Sequence, residues 1–449
     1  MVSPYQFVPF SVQSNWLPHP SRNSFQKFIT KILQTERTEL APSIQALKDL
    51  IESNEVLSYL AQNAFQQNAN ILAANQSSSE APIPAIPDLD TLLYAFNAVM
   101  DQAPQFINDD LVGLPFSAIV VGIDATLGGS TLFRLPIFNE KMGAILDAWA
   151  TFLVSPASDS GFAVEGQQWL SPAAKAQYDF PIWKKDSPTL PYWKSWDSFF
   201  TRNFSDPAAQ RPIAGPDTNQ VVICPNDGSL FCWEPQVQRK DVFWLKGMPY
   251  SLDDIFSSPD PEQDALIKSF GLSEMFENGY VFQTYLNPYN FHRWWVPVNG
   301  KVLFDPLVIP GCFFSKLVLP DYGGATTAST PYLSEVNARG LIVFETEDYG
   351  NVCCLPLGMS EVSSVGFDPA MTKGATVSKG QEMGSFHYGG SSFVVIYQNQ
   401  PDKQLIFMNS QGVPYPQQPP PPGSSAGASS YGTNIGSQIG QWYCKCTGE

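Results

Sequence analysis

The stretch FHYGGSS at 386–392 contains residues that could carry out chemistry on the polypeptide chain itself. The hydroxyl of Ser391 can attack the carbonyl carbon of Gly390 and exchange an amide for an ester. This step needs an unusual backbone geometry, which adjacent glycines permit at little steric cost. It also needs a base for the hydroxyl proton and donors that stabilise the oxyanion.

The further course of this chemistry would leave a ketone attached to the chain. If a base removes the α-proton of Ser391, the ester eliminates and the residue becomes dehydroalanine. Hydrolysis then gives a pyruvoyl group at a new N-terminus. Such a ketone can condense with a substrate amine and act as an electron sink, much as pyridoxal phosphate does.

The same Gly-Gly-Ser core occurs in TLGGSTLF at 126–133. Gly-Gly and Gly-Ser dipeptides usually mark turns for conformational reasons alone. No partnered base or acid accompanies this copy, so we expect an ordinary turn where one helix ends and the next begins.

The composition indicates a packed, acidic, cytoplasmic protein. The chain has 449 residues, of which 43% are hydrophobic, and a formal charge of −17. That charge argues against nucleic acid and against an anionic membrane surface as partners. The N-terminus resembles no targeting signal, and the longest apolar stretch, at 111–123, is too short to span a bilayer. We therefore expect no stable membrane insertion.

Cysteine and histidine usage argues against a metal cofactor. The seven cysteines are irregularly spaced, which suits free thiols in a reducing compartment. The chain contains only three histidines, so a site with several histidine ligands is nearly excluded. The CKC sequence at 444–446 has no partner pair.

The apolar pattern predicts an α+β protein, in which a mainly α-helical domain precedes a β-rich domain. Apolar residues recur at helical spacing in 24–75, 89–103 and 138–154. Short β-rich runs separated by Gly, Pro, Asn and Asp extend from about 220 to 398. The predicted divisions are an N-terminal extension (1–23), a helical domain (24–155), a linker (156–195), a β-rich domain (196–412) and a Pro/Gly/Ser-rich tail (413–449), whose part at 414–432 is too poor in apolar residues to pack.

Seven motifs of the β-rich part resemble, in the same order, those of the phosphatidylserine decarboxylase family, whose members are pyruvoyl enzymes that cleave themselves at LGST or GGSS. They are WDSFFTRNF…RPI (196–213), CPNDG (224–228), WLKGMPYSL (244–252), YLNPYNFHRWWVPVNG (285–300), IPGCFFS (309–315), LPLGMSEVSSV (355–365) and KGQEMGSFHYGGSS (379–392). Any one of these motifs is a weak signal, whereas seven in order are a strong one.

The helical part resembles the domain appended to fungal L-tryptophan decarboxylases of the same superfamily. The segments that carry this resemblance are IQALKDLIESN (44–54), FNAVMDQAP (96–104) and LDAWATFLVS (146–155). The resemblance covers about residues 30–400. It implies a phosphatidylserine-decarboxylase-like catalytic domain and a soluble carboxy-lyase of an aromatic or related amino acid. It also implies a zymogen that cleaves itself between Gly390 and Ser391 and serves amino-acid or secondary metabolism.

The resemblance also assigns roles residue by residue. Asp227 matches the charge-relay acid of the family, and Ser391 matches the nucleophile and pyruvoyl precursor. The family motif HR-x-H supplies two histidines, of which His292 is the first, while Trp295 occupies the place of the second. In better-studied bacterial members the second histidine is the self-cleavage base and the first serves decarboxylation. Trp295 is therefore the most informative departure, although a tryptophan here could also stack on an aromatic substrate.

Several alternatives stay open on the sequence. His292 could serve both steps, or His387 could approach Ser391 across a turn, with Gly389 and Ser392 in supporting roles. Without cleavage, an intact triad of Asp227, His292 and Ser391 could catalyse acyl transfer or hydrolysis, or the chain could be an inactive homologue.

A further alternative is phosphatidylserine decarboxylation. It predicts binding to liposomes, which the negative charge disfavours. The partner that we expect is a small amine or amino-acid substrate. The oligomeric state stays open, and a homo-oligomer is compatible with the sequence.

Overall fold

The structure is a computed structural model that describes residues 22–74, 86–106, 114–124, 126–240, 251–286, 290–314, 335–359, 361, 364–416 and 432–445. It has two compact units. Unit 1 is Met1–Gln177, Asp186–Phe199 and Cys312–Leu333, and unit 2 is Tyr178–Lys185, Phe200–Gly311 and Ser334–Glu449. Helices dominate the N-terminal region and antiparallel sheets the C-terminal region, so the predicted α+β class is confirmed.

The first part of the chain is helical, and its helices within 22–74, 89–99 and 136–154 fall in the stretches where the apolar spacing predicted helices. The helices of this part are α1 (Arg22–Gln34), α2 (Pro42–Ser53), α3 (Glu55–Ala74), α4 (Leu89–Val99), α5 (Pro115–Val120), α6 (Leu127–Leu132), α7 (Pro136–Val154), α8 (Pro172–Gln177) and α9 (Trp196–Phe200). Asp88 begins α4 as its cap, because its side chain accepts a hydrogen bond from the backbone N–H of Thr91 at 2.8 Å. Proline in the first turn begins α2, α5 and α7. Within the described ranges, no helix has the length and apolar character needed to cross a membrane.

The TLGGSTLF stretch forms the short helix α6, so the prediction of a turn between helices was wrong. Thr126 caps this helix, and its Oγ1 accepts a hydrogen bond from the N–H of Gly129 at 2.9 Å. A β-carbon on Gly128 would lie 2.8 Å from backbone atoms of Leu60 and Ala64 in α3. Gly128 is therefore required by the close approach of two helices.

Residues 156–195 form short helical turns with buried aromatic side chains. The 3₁₀ helices are Pro156–Phe162, Gln168–Leu170 and Phe180–Ile182. In unit 1 the indole of Trp169 donates to the carbonyl of Pro104 at 2.7 Å and packs 4.6 Å from the ring of Trp196. The tryptophans of this segment therefore contribute to a core.

Unit 2 contains fifteen strands and four helices among its described residues. The strands are β1 (Val221–Ile223), β2 (Gly228–Val237), β3 (Gly279–Leu286), β4 (Arg293–Trp295), β5 (Gly300–Val302), β6 (Leu307–Ile309), β7 (Arg339–Glu345), β8 (Asn351–Met359), β9 (Val365–Phe367), β10 (Thr376–Val377), β11 (Glu382–Phe386), β12 (Gly390–Tyr397), β13 (Lys403–Phe407), β14 (Gly432–Thr433) and β15 (Gln438–Cys444). The helices are α10 (Pro207–Gln210), α11 (Leu252–Ile255), α12 (Pro261–Ser269) and α13 (Leu272–Phe276).

The strands form three antiparallel sheets. The largest has the order β10-β5-β7-β8-β12-β3-β2-β14, with β6 paired to β7. The two smaller sheets have the orders β4-β11-β9 and β1-β15-β13. Central strands such as β8 and β12 are buried on both faces, which explains their continuous apolar runs. One face of the large sheet carries the apolar core, which includes Val281, Leu355, Val394 and Ile396.

The C-terminal segment contributes strands to two of these sheets. β14 pairs with β2, and β15 lies between β1 and β13. Ile435 and Ile439 are fully buried. The low-complexity part of the expected tail, at 417–431, lies outside the described residues.

Candidate active site

Ser391 lies at the start of the central strand β12. The register sets it opposite Leu286 in β3 and Gly358 in β8. Gly389 precedes the strand with a φ of 141°, a conformation that favours glycine. The Ser391 side chain is completely buried, and its Oγ has no hydrogen-bond partner among the described residues. Buried hydroxyls usually have a hydrogen-bond partner, so this one is uncommon.

Ser392 differs from its neighbour because its hydroxyl is fully engaged. Its Oγ donates to the carbonyl of Thr284 at 2.7 Å and accepts from Nε2 of Gln283 at 2.8 Å. Successive side chains of a strand point to opposite faces. Ser391 and Ser392 therefore face opposite sides of the sheet, and only the Ser392 hydroxyl has hydrogen-bond partners among the described residues.

His292 is a completely buried imidazole just before β4. Its ring stacks on Phe200, with centroids 3.9 Å apart and planes 25° apart. In the described part of the chain, neither ring nitrogen has a hydrogen-bond partner. Burial lowers the pKa of His292 well below its ordinary value, and the charge of Arg202 adds to this lowering. The backbone of Asn290 acts on this pKa in the opposite direction. The imidazole is therefore neutral at neutral pH and can accept a proton.

Trp294 connects the segment of His292 to the strand of Ser391. The Trp294 ring contacts that of Phe393, with 6.0 Å between centroids. Phe393 follows Ser391 by two residues and shares its face of β12. His292 precedes Trp294 by two residues, just before β4 begins. The ring contact of Trp294 with Phe393 thus joins the segment that follows His292 to the face of β12 on which Ser391 lies.

Trp295 lies on the other face of β4. Its ring contacts those of Phe204 and Phe291, each at 6.3 Å, and Trp183 stacks on both phenylalanines. The backbone N–H of Trp295 donates to the carbonyl of Pro225 at 2.8 Å. Trp295 therefore packs in an aromatic cluster of Trp183, Phe204, Phe291 and Trp295, and its backbone supports the segment that leads to Asp227.

Asp227 is held by an ion pair rather than by a histidine. Its carboxylate accepts two hydrogen bonds from Arg211, at 3.1 and 2.9 Å, and one from the backbone N–H of Ile435 at 2.7 Å. Within the described residues, no hydrogen bond joins Asp227, His292 and Ser391. A hydrogen-bonded Ser-His-Asp triad is therefore not assembled there.

The strand register nevertheless brings Asp227 to the same end of the sheet as the serines. Ser229, Tyr285 and Ser392 form one row across β2, β3 and β12. Neighbouring strands lie about 4.8 Å apart, so Ser229 and Ser392 are separated by roughly 10 Å. Asp227 precedes Ser229 by two residues, and Ser391 precedes Ser392 by one.

The sequence did not single out Phe200 and Arg202, which complete this site. Arg202 is only 2% exposed, its guanidinium lies 4.2 Å from the ring of Trp183, and its charge acts on both Asp227 and His292. Burial lowers the pKa of Arg202 to about 10, so it remains a cation at neutral pH. Both residues lie in WDSFFTRNF, and that motif is the signal that could have found them.

The two residues just before the glycines lie in the connection between β11 and β12 and make different contacts. The backbone N–H of His387 donates to the carbonyl of Ser364 at 3.2 Å, and the side chain is half-buried. Tyr388 is buried and packs edge-on against Phe200 at 5.0 Å. Burial and the charge of Glu361 raise the pKa of Tyr388 well above its ordinary value, so the phenol stays protonated. The described ranges contain no group of three or more His, Cys, Asp or Glu side chains that could hold a metal ion.

Comparisons with known proteins place this site in a family. A family model described as phosphatidylserine decarboxylase matches residues 196–417, and a second with that description matches residues 41–178. The decarboxylase iboD of Amanita muscaria is 32% identical over 310 residues, which cover 64% of this chain and 84% of the relative. The chain belongs to the phosphatidylserine decarboxylase family. The predicted family is thus confirmed.

Two further relatives are also fungal proteins. An L-tryptophan decarboxylase of Psilocybe cyanescens is 29% identical over 67% of this chain and 70% of the relative. Its namesake from Psilocybe cubensis is 26% identical over 79% of this chain and 80% of the relative. The phosphatidylserine decarboxylase family consists of pyruvoyl-dependent carboxy-lyases, so the predicted enzyme class is confirmed as well.

Proposed function

We propose that this family member is a pyruvoyl-dependent decarboxylase of an aromatic or related amino acid, formed by self-cleavage between Gly390 and Ser391. The observation that carries the proposal is the buried, unpartnered hydroxyl of Ser391 at the start of β12. The left-handed conformation of Gly389 beside it supports the same assignment. These residues fit a serine that becomes a pyruvoyl group.

In the proposed self-cleavage, His292 is the base. Neutral His292 takes the proton of Ser391 Oγ, the oxygen attacks the carbonyl carbon of Gly390, and the departing amide nitrogen is protonated. Loss of the α-proton of residue 391 then expels Gly390 as a carboxylate and leaves dehydroalanine. Addition of water and loss of ammonia complete the new N-terminus.

For decarboxylation, a pyruvoyl group at residue 391 would supply an electrophilic ketone that takes up the electron pair left when CO₂ departs. The chain's own residues control protons around it. Stacking on Phe200 fixes the plane of the His292 imidazole, which can return a proton to the reacting carbon. Burial of this region excludes water that would compete for that position.

An amino-acid substrate is preferred over a phospholipid on two grounds. Two relatives bear the name L-tryptophan decarboxylase. The formal charge of −17 opposes attraction to an anionic lipid surface. The proposal accordingly includes a small-molecule substrate and a cytoplasmic location.

Intact-mass measurement of the purified protein tests self-cleavage. The expected result is two chains, 1–390 and 391–449, whose masses sum to that of the whole chain plus one water minus one ammonia. Ser391→Ala should remain one chain, whereas Ser130→Ala, at the other Gly-Gly-Ser, should cleave like the wild type. A single full-length mass that persists on long incubation of the wild type would overturn the proposal.

Product assays then test the substrate. The cleaved protein is incubated separately with aromatic amino acids and with phosphatidylserine vesicles, and the amine products are measured. We expect amine release from an aromatic amino acid and none from the vesicles. Release from the vesicles alone would overturn the substrate assignment while leaving the cleavage proposal in place.

A further inference from the structure

A chain of buried polar groups runs behind the cleavage site. Gln283 Nε2 donates to Ser392 Oγ, which donates to the carbonyl of Thr284. Thr284 Oγ1 donates to Oδ1 of Asn226 at 3.0 Å. Asn226 Nδ2 donates in turn to the carbonyl of Asp227 at 2.9 Å. The residues Gln283, Ser392, Thr284 and Asn226 are each at most 1% exposed.

These groups are costly to keep in an apolar core. Gln283 and Ser392 lie on the face of the sheet that carries Val281, Val394 and Ile396. A buried polar group that lacks its partner loses its hydration without compensation, so such groups are retained only when paired. The pairing here is complete for the Ser392 hydroxyl, which both donates and accepts. An apolar pair would serve the core as well, which points to a role other than stability.

The segments that these hydrogen bonds connect indicate that role. On one side is Ser392, which follows Ser391 directly in the sequence. On the other side is the backbone carbonyl of Asp227. Both sides are anchored on β3, because Gln283 and Thr284 are consecutive residues of that strand. A shift of β12 along β3 would break the contacts at Ser392.

We propose that Gln283, Ser392, Thr284 and Asn226 are positioning residues for self-cleavage. They fix the start of β12 against the Asp227 segment and keep the Ser392 hydroxyl from competing with that of Ser391. This inference rests on the proposed function, since it concerns the same cleavage. It assigns Ser392 a part in the rate and the site of cleavage without any contact with the bond that breaks.

The test follows cleavage of the full chain from its synthesis by pulse-labelled cell-free translation. Ser392→Ala should slow cleavage about 10²-fold, the size of effect expected from a small misplacement of reacting groups. Ser392→Thr keeps the hydroxyl in a residue that suits strands and should restore a rate near that of the wild type. Thr284→Val, which keeps its backbone carbonyl and shape, should also slow cleavage. In each of these variants the fragment masses should show cleavage at the bond between Gly390 and Ser391 and at no other bond.

Thr346→Val is the matched control. Thr346 is a buried hydroxyl in the turn between β7 and β8 that donates to the carbonyl of Gly350 and accepts from Tyr349. The Thr346→Val substitution should lower the melting temperature and leave the cleavage rate unchanged. Slowing by Thr346→Val equal to that by Ser392→Ala would overturn the inference, because general destabilisation would then explain both.

The remaining outcomes separate this inference from the proposed function. If the wild type cleaves and folded Ser392→Ala and Thr284→Val cleave at its rate, the inference alone fails. If Ser392→Ala does not fold, Thr284→Val decides by the same criterion. If the wild type never cleaves, the proposed function fails and the positioning role fails with it.

Discussion

The imidazole of His292 lies flat against the ring of Phe200, with 3.9 Å between their centroids. This contact and complete burial leave no room for the water that would solvate an imidazolium. The pKa of His292 is lowered well below its ordinary value, first by burial and then by the charge of Arg202. A base that stays neutral is useful for taking the Ser391 proton, and it makes stability depend on pH.

We expect acid to destabilise the protein through His292. Below a pH of about 6.5 the unfolded chain binds a proton that the folded chain excludes. The free energy of unfolding should then fall by about 1.4 kcal/mol per pH unit until the pH reaches the lowered pKa of the folded state.

Urea unfolding of Ser391→Ala and of Ser391→Ala/His292→Gln, which both remain uncleaved, at pH 7 and pH 5 measures this contribution. Carboxylates titrate in both proteins, so the difference between the two pH dependences isolates the histidine. The protein with His292→Gln should lose less stability between these pH values. Equal losses would contradict the buried neutral imidazole.

Trp295→His should not accelerate self-cleavage, although it restores the histidine of the family motif. Position 295 lies on the face of β4 away from Trp294, in the aromatic cluster with Phe204 and Phe291. Loss of the indole should lower the free energy of unfolding by about 2 kcal/mol. Trp295→Phe, the control, should lose less. Cleavage time courses and urea unfolding measure the two effects. Faster cleavage of Trp295→His than of Trp295→Phe would indicate that a histidine at position 295 acts as the base.

The sequence predicted most elements because their patterns are local. Helices such as α3 and α7 carry apolar residues at helical spacing, and β12 contains the apolar run FVVIY, which follows a Gly-Gly pair and two serines. The Gly-Gly-Ser at 128–130 misled the same reasoning. Gly128 allows α3 and α6 to approach closely, and such a contact between distant segments cannot be predicted from a local pattern.

The site could be predicted only in part for a related reason. Motif order singled out Asp227, His292 and Ser391, but not the ion pair of Asp227 with Arg211 or the stacking of Phe200 on His292. Both contacts join residues distant in sequence. The sequence also could not predict that Ser392 is hydrogen-bonded and Ser391 is not. The hydrogen bonds of Ser392 depend on its register with β3, which is distant in sequence.

Ser391→Ala should raise stability, whereas Ser392→Ala should lower it. Removing an unpaired buried hydroxyl relieves a desolvation cost of about 1–3 kcal/mol, so Ser391→Ala should gain on the order of 1 kcal/mol. Ser392→Ala leaves Gln283 and the Thr284 carbonyl without this partner and should lose a similar amount. Urea unfolding of the uncleaved His292→Gln protein with and without Ser391→Ala gives the first value. Urea unfolding of Ser391→Ala with and without Ser392→Ala gives the second. Loss of stability in Ser391→Ala would show that its hydroxyl has a partner.

Gly384→Ala should disturb the site through Trp294. A β-carbon at Gly384 would overlap the Trp294 ring and the carbonyl oxygen of Gly366. Overpacking of this kind costs about 1–3 kcal/mol, and displacement of Trp294 should also slow cleavage because His292 lies two residues before it. Gly432→Ala is the control, since its β-carbon would meet nothing within 4 Å. Melting temperatures and cleavage rates check this, and a wild-type cleavage rate in folded Gly384→Ala would contradict the link.

Arg211→Ala should destabilise the start of β2 by leaving Asp227 without its cation. The pair is bidentate and largely buried, with the Asp227 side chain 8% exposed, so its loss should cost about 2 kcal/mol. Arg211→Lys keeps the charge but not the paired geometry and should recover part of the loss. Arg239→Ala removes the exposed pair with Asp253 and should change stability little. Urea unfolding compares the three variants, and equal effects of Arg211→Ala and Arg239→Ala would show that the Asp227 ion pair contributes no more than an exposed one.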